Sequence, residues 1–220
     1  MRPLVNLMTA GLVALVLGGC FSPRPDPSKF FVLAPLGTAA GSSMVPAGLA
    51  TSTAPTIGLG PVKLPEYLDR DEVVTRVGPN RLQLSNEDRW AEPLDNNFKQ
   101  VVAEDLTRLM GTQSITFYPW PLTTHIDYQV RIDVYRFETD TSSKAELVAH
   151  WQVLDGSGKL LYANDANLSD QTQPGESAAS ALSRTVEALA RQIAFAIQSL
   201  AQGKQAGPGV SRSKRSQRGS

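Results

Sequence analysis

Ile126-Asp127-Tyr128-Gln129-Val130-Arg131-Ile132-Asp133-Val134 alternates apolar and polar side chains from end to end. A period of two belongs to a strand with one face buried and the other solvated, so the chain holds an antiparallel sheet with its core on one side. Downstream, Ala145 to Leu154 and Leu160 to Leu168 keep the alternation across an Asp155-Gly156-Ser157-Gly158 turn. Upstream the period changes. Leu94, Phe98, Val101, Val102, Leu106 and Leu109 fall at helical spacing, with Pro93 suited to the first helical position and Gly111 just past the last turn. A second helix is predicted from Glu176 to Leu200, with Leu182, Val186, Leu189, Ile193, Ile197 and Leu200 on one face. Phe30 to Leu33 and Thr56 to Leu59 read as short strands, and Leu64 to Leu68 as a single helical turn. Asp71 to Thr75 and Leu82 to Ser85 flank Gly78-Pro79-Asn80 as a hairpin. The pattern predicts one α+β domain over residues 30–201, a largely antiparallel sheet with two amphipathic helices packed on one face.

Composition narrows the chemistry. The 220 residues hold 21 Lys+Arg against 21 Asp+Glu, two histidines and one cysteine. Zero net charge excludes a broadly basic nucleic-acid binder, and a single cysteine excludes an intramolecular disulfide. With only His125 and His150 to draw on, neither a histidine-rich metal centre nor a Cys/His zinc site is expected. The charge is unevenly placed. Residues 202–220 carry Lys204, Arg212, Lys214, Arg215 and Arg218 and no acid, and read as a disordered basic tail with a sharper alternative, contact with anionic lipid.

The N-terminus reads as a targeting segment. Arg2 precedes an apolar run from Leu7 to Leu17, which ends in Gly18-Gly19-Cys20. As a helix that run spans roughly 16 Å, short for a hydrocarbon core of about 30 Å. Leu17-Gly18-Gly19-Cys20 resembles the bacterial lipobox, which implies a signal peptide over 1–19, lipidation of Cys20 and a membrane held through N-terminal acyl chains. Phe21 after the cysteine, where such sorting would place an aspartate for inner-membrane retention, favours the outer membrane. Residues 20–29, with Pro23, Pro25 and Pro27, form a stiff tether, and the uncharged stretch 34–55 reads as a mobile loop.

No catalytic, cofactor-binding or metal motif emerges. Gly58-Leu59-Gly60-Pro61 opens like a dinucleotide fingerprint but lacks the third glycine and the helix that would face a pyrophosphate. His125 and His150 read as ordinary strand or surface residues, and Asp127 and Asp133 as a solvated strand face. Among the aromatics, Phe117-Tyr118-Pro119-Trp120-Pro121 stands apart: prolines at a strand end would hold Tyr118 and Trp120 where an exposed rim can grip a partner.

Two runs carry a resemblance. Ile57 to Arg70 followed by Val73-Val74-Thr75-Arg76, and Arg89-Trp90-Ala91-Glu92-Pro93-Leu94 leading into a helix, resemble the paired signatures of the PqiC/YmbA family of auxiliary lipoproteins of ABC-type and MCE-type transport systems. With the lipobox and the last helix, the likeness runs from Phe30 to Leu200. It implies an outer-membrane lipoprotein facing the periplasm of a Gram-negative cell, without catalytic activity, that works with an MCE-domain protein and its permease in lipid transport and supports envelope integrity. It also implies a homo-oligomer if that partner is a ring, with phospholipid as a candidate ligand and no nucleic acid. Tyr67, Leu68, Asp69 and Arg70 would lie in an ordered surface turn available, with Tyr118 and Trp120, for partner contact. The alternative is a stand-alone structural envelope lipoprotein without a transport partner.

Overall fold

The computed structural model describes residues 26–35, 37, 55–112 and 114–203. The signal peptide, Cys20, the first part of the tether, the bulk of the 34–55 segment and the basic tail from residue 204 lie outside the described residues.

Among the described residues, eight strands and two helices follow in the order β1 (Lys29–Phe31), β2 (Ile57–Lys63), a 3-10 turn (Glu66–Leu68), β3 (Glu72–Gly78), β4 (Arg81–Trp90), α1 (Leu94–Met110), β5 (Ile115–Phe117), β6 (Tyr128–Asp140), β7 (Lys144–Asp155), β8 (Leu160–Gln171) and α2 (Ala178–Ala201). The alternating stretch is therefore β6, the spine of one eight-stranded sheet. One edge of β6 is taken along its length by β7, which pairs in turn with β8, both antiparallel. The other edge is shared. β2 runs parallel to its first half, Ile57 opposite Tyr128, and β3 meets its end, Thr75 opposite Thr139. Short parallel pairings also place β5 against β2 and β1 against β4. The long ladders are antiparallel and the short ones at the margins parallel, so the sheet is open and mostly antiparallel.

Each strand buries one set of alternate residues. Val130, Ile132 and Val134 of β6, Leu147, Ala149, Trp151 and Val153 of β7, and Ile57 and Leu59 of β2 face the helices and are almost fully buried. Phe98, Val102 and Leu106 of α1 and Leu182, Val186, Leu189, Ile193 and Ile197 of α2 complete this core. Fully burying a side chain of this size contributes about 1.5–3 kcal/mol, so this shared face outweighs any local propensity. Phe137 and Phe98 meet edge to face with ring centres 5.3 Å apart. Phe137 reaches the core because the β6–β7 register shifts between Val134 and Arg136, which turns Tyr135 outward and moves the inward set from even to odd positions.

The helix ends follow the sequence. Gly111 closes α1 in the left-handed conformation at φ 63°, and the Ser177 side chain accepts from the Ser180 amide to cap α2. Pro93 caps α1 from just outside rather than filling its first position. Two differences are larger. β4 continues through Trp90 because β1 pairs along its end, and β6 runs on to Asp140 because β3 and β7 both reach that far.

Candidate functional site

The glycines of the fingerprint-like run serve packing, not phosphate. In β2, Ile57 and Leu59 point into the core, so Gly58 and Gly60 face the opposite, helix-free side of the sheet. A Cβ on Gly58 would stand 2.8 Å from Cη2 of Trp120, and one on Gly60 2.8 Å from Cβ of Tyr118. Gly60 also has φ 124°, a conformation that side chains rarely adopt. The absent side chains leave a shelf on which the 117–122 segment lies.

That segment is held from several directions. The Tyr118 amide donates to the Leu59 carbonyl at 2.9 Å, and Gln129 Nε2 donates to the Gly60 carbonyl at 3.0 Å from the neighbouring strand. Tyr118 and Trp120 meet edge to face with ring centres 5.4 Å apart, and the Gly60–Pro61 and Tyr118–Pro119 peptides are cis. Trp120 is half-buried over Gly58, and beyond it the rim stands free: Phe117 is 44% exposed, Tyr118 56% and Leu122 fully. Asp127 anchors the far side of the loop, accepting from the Thr56 amide at 2.7 Å and contacting His125 Nε2 at 3.0 Å. The structure thus holds an apolar rim of fixed shape at the end of the sheet where β2, β5 and β6 begin.

The second predicted region lies elsewhere. Tyr67, in the 3-10 turn after β2, donates its hydroxyl to Glu138 Oε2 at 2.6 Å, near the other end of β6. Gln129 beside the rim and Glu138 are separated by roughly 30 Å of strand at about 3.3 Å per residue. The two groups of predicted contacts therefore do not form one site. Within the turn, Leu68 is only 4% exposed and belongs to the core, so it pins the turn instead of offering itself to a partner. Asp69 and Arg70 are exposed, with Arg70 Nε donating to the Tyr67 carbonyl at 2.7 Å.

Glu138 is the residue that sequence reasoning missed. It is 2% exposed, yet it accepts from Tyr67, from the Phe137 amide at 3.0 Å and from Arg76 Nε at 2.5 Å. Arg136 lies 3.9 Å from the same carboxylate and binds Glu146 at 2.7 Å. Burial and the adjoining Glu138 carboxylate both push the Tyr67 phenol well above its ordinary value, so its proton stays in the hydrogen bond. The arrangement ties the turn, β3 and β6 together and is structural: every polar partner is satisfied within the cluster.

The helix-free face of β6, β7 and β8 is polar between these two regions. Lys63, Asp133, His150 and Asp165 stand opposite one another across four strands, with His150 Nδ1 and Asp165 Oδ1 2.7 Å apart. A concavity of about 420 Å³ lies instead near the start of α2, lined by Phe31, Val73, Asp88, Glu176 and Ala178 among others. Glu176 there is held by Arg184 at 3.0 Å. Among the described residues no group of three or more His, Cys, Asp or Glu is placed to hold a metal ion.

Known proteins give this geometry a family. The fold is similar to a crystal structure of an uncharacterized protein, at TM-score 0.61 and 16% identity over 77% of this chain and 98% of that one. It is also similar to protein XCC0632 from Xanthomonas campestris, of the DUF330 family, at TM-score 0.59 and 14% identity over 80% of this chain and 99% of that one. The PelC dodecamer from Paraburkholderia phytofirmans overlaps less, at TM-score 0.38 and 9% identity over 62% of this chain and 86% of that one. No curated protein sequence matches the chain. The family model for the ABC-type transport auxiliary lipoprotein component matches residues 36–194, from before β2 to the last turns of α2, and the chain belongs to that family, the PqiC/YmbA type.

Proposed function

We propose that this protein is a lipoprotein held at the periplasmic face of the outer membrane through acylated Cys20. There it serves, without catalysing a reaction, as an accessory subunit of an MCE-domain and ABC-type lipid transport system. The family match over 36–194 carries the reading, because it spans β2 to β8, all of α1 and most of α2 and not a single motif. The surface is compatible with it. Among the described residues no helix covers the broad polar face of the sheet, which is bordered by the exposed Asp69 and Arg70, and the Tyr67–Glu138 bond holds that turn in place. A protein partner covering the face would meet the Lys63, Asp133 and His150 row as a pattern of charge that sets register more than affinity.

The experiment is affinity capture of the full-length lipoprotein from detergent-solubilised envelopes, with mass spectrometry of proteins and lipids. An MCE-domain protein and a permease are expected in the eluate, with recovery reduced by Asp69→Lys combined with Arg70→Glu. If no such partner appears even after cross-linking, the transport role fails and a stand-alone structural envelope lipoprotein becomes the better account.

A further inference from the structure

The margins of the sheet are unequal. β1 and β5 each end it with three residues, and edges so short offer little to pair with. β8 ends it with twelve, about 40 Å at 3.3 Å per residue, and pairs only with β7. No proline, glycine or lysine guards Leu160 to Gln171, and its one register shift is confined to Leu160–Tyr162. Of its two acids, Asp170 is held by Arg184 at 2.7 Å, and Asp165 stands on the helix-free face against His150. Among the described residues no backbone hydrogen bond reaches the outer edge of residues 161–170. α2 overlooks this edge. Arg184 in its second turn reaches Asp170 near the end of β8, and Gln198 reaches α1 at the end of the sheet where β8 begins, so helix and strand run antiparallel. The flank of α2 turned from α1 toward β8 carries Ala181, Thr185, Ala188, Gln192 and Ser199 at helical spacing. All but Gln192 are small, and Gln192 has its Oε1 buried without a partner among the described residues. It lies eight residues beyond Arg184, about 12 Å along α2 or four strand residues back from Asp170, and so level with Ala166.

We infer that β8 and this flank of α2 form the interface of a two-fold homodimer, in which the β8 strands of two copies pair antiparallel and join their sheets. With the axis at Ala166, residues 161–171 pair along their whole length. Asp165 then faces Asn167 of the second copy and Asp170 faces Tyr162, so no two like charges are opposed. The spacing of the layers agrees. Adjacent strands lie about 4.8 Å apart, and α2, seated over β7 and β8, is half a spacing inside the edge strand. Two such helices across the axis stand about 9.6 Å apart, within the roughly 8–10 Å of packed helices. The small residues of the flank allow that approach. Gln192, level with the axis, meets Gln192 of the second copy, each amide donating to the other's Oε1. An edge about 40 Å long and two layers, roughly 20 Å, deep presents about 800 Å² per copy, the area of a stable interface. A strand from an unrelated protein would satisfy the edge but not the flank, since a second copy is what sets α2 beside α2. The pairing depends neither on a transport partner nor on lipidation of Cys20.

The test is sedimentation equilibrium of the full-length protein in density-matched detergent, with micelles in excess over protein, across the micromolar range. The wild-type chain is expected at twice the monomer mass. Asp165→Lys/Asn167→Lys sets lysine opposite lysine twice across the axis, and Asn167→Glu sets acid opposite acid; each is expected to weaken the dimer on the order of 100-fold or more. Asp165 and Asn167 are both exposed, so an unchanged melting temperature is expected for each variant. An equimolar mixture of the two faces lysine with acid at every opposed pair, and the dimer mass is expected to return. Gln192→Ala is expected to weaken association about tenfold through loss of two hydrogen bonds, without lowering the stability of the monomer. A wild-type monomer throughout, an assembly whose mass ignores both charge variants, or a mixture that stays monomeric overturns the inference.

Discussion

Replacing Glu138 by alanine is expected to destabilise the fold by about 3 kcal/mol. Removing one member of a buried ion pair typically costs about 3–5 kcal/mol, because the other is left desolvated and unmatched. Glu138 is 2% exposed but the Arg76 side chain is 19% exposed, so water recovers part of that loss and the lower end applies. The substitution also strands the Phe137 amide and the Tyr67 hydroxyl, which otherwise donate to the same carboxylate at 3.0 and 2.6 Å. For a domain of this size the melting temperature falls by roughly 6–12 °C. Tyr67→Phe alone removes one hydrogen bond to a charged group, worth about 1.5 kcal/mol. Urea denaturation followed by circular dichroism and tryptophan fluorescence gives both values, and the Tyr67→Phe/Glu138→Ala double variant gives their coupling. A loss below about 1 kcal/mol for Glu138→Ala, or two effects that simply add, would refute the idea that this carboxylate ties the turn to the sheet.

Three further outcomes follow from the geometry. Gly60→Ala is expected to destabilise more than Gly58→Ala, by about 1–3 kcal/mol, since both press on the rim but only Gly60 adds backbone strain at φ 124°. Chemical denaturation ranks them, and a reversed order contradicts the account of the shelf. Asp140 and Asp155 accept from the Ser142 and Ser157 hydroxyls and from turn amides, which lowers both carboxyls from their ordinary 3.8. Their contribution is complete above that value and is lost as pH falls through the lower folded values. Asp140→Asn/Asp155→Asn is therefore expected to show a shallower loss of stability below pH 3.8, read from acid titrations of the unfolding free energy. At the other extreme Tyr67 holds its proton in the fold while the unfolded chain releases it near 10, so stability declines as pH rises past that point. Tyr67→Phe is expected to flatten this alkaline decline; an unchanged profile argues against a retained phenol proton.

Much of the fold was legible because burial imposes a period on the side chains. Ile132 and Val134 announce β6, Gly78-Pro79-Asn80 announces the β3–β4 hairpin, and Leu182 to Leu200 announce α2, each through local pattern alone. The parallel contacts of β2 and β3 with β6 were not legible, since they join segments whose proximity depends on the whole fold. The site divides in the same way. Prolines around Tyr118 and Trp120 signalled an exposed rim, but nothing local showed that Gly58 and Gly60 are its seat. Leu68 looked like surface because its neighbours are polar, whereas the 3-10 turn rotates it inward. Glu138 escaped notice because the bulge after Val134 breaks the alternation on which a face assignment depends.

The attachment of β1 also has a mechanical consequence. Were the chain held through Cys20 as proposed, tension would enter at its N-terminus, where β1 offers little resistance by itself: three residues pair along the end of β4, and Phe30 lies mostly in solvent. Behind it the Leu33 amide is gripped by Asn97 Oδ1 at 2.6 Å, and the Ala34 amide by Ser183 Oγ. Asn97 sits in the first turn of α1 and Ser183 in the second turn of α2. A pull that peels β1 is thus stopped at residues 33 and 34 and shared between both helices, which leaves the strand ladders unloaded and the far end of the domain undisturbed.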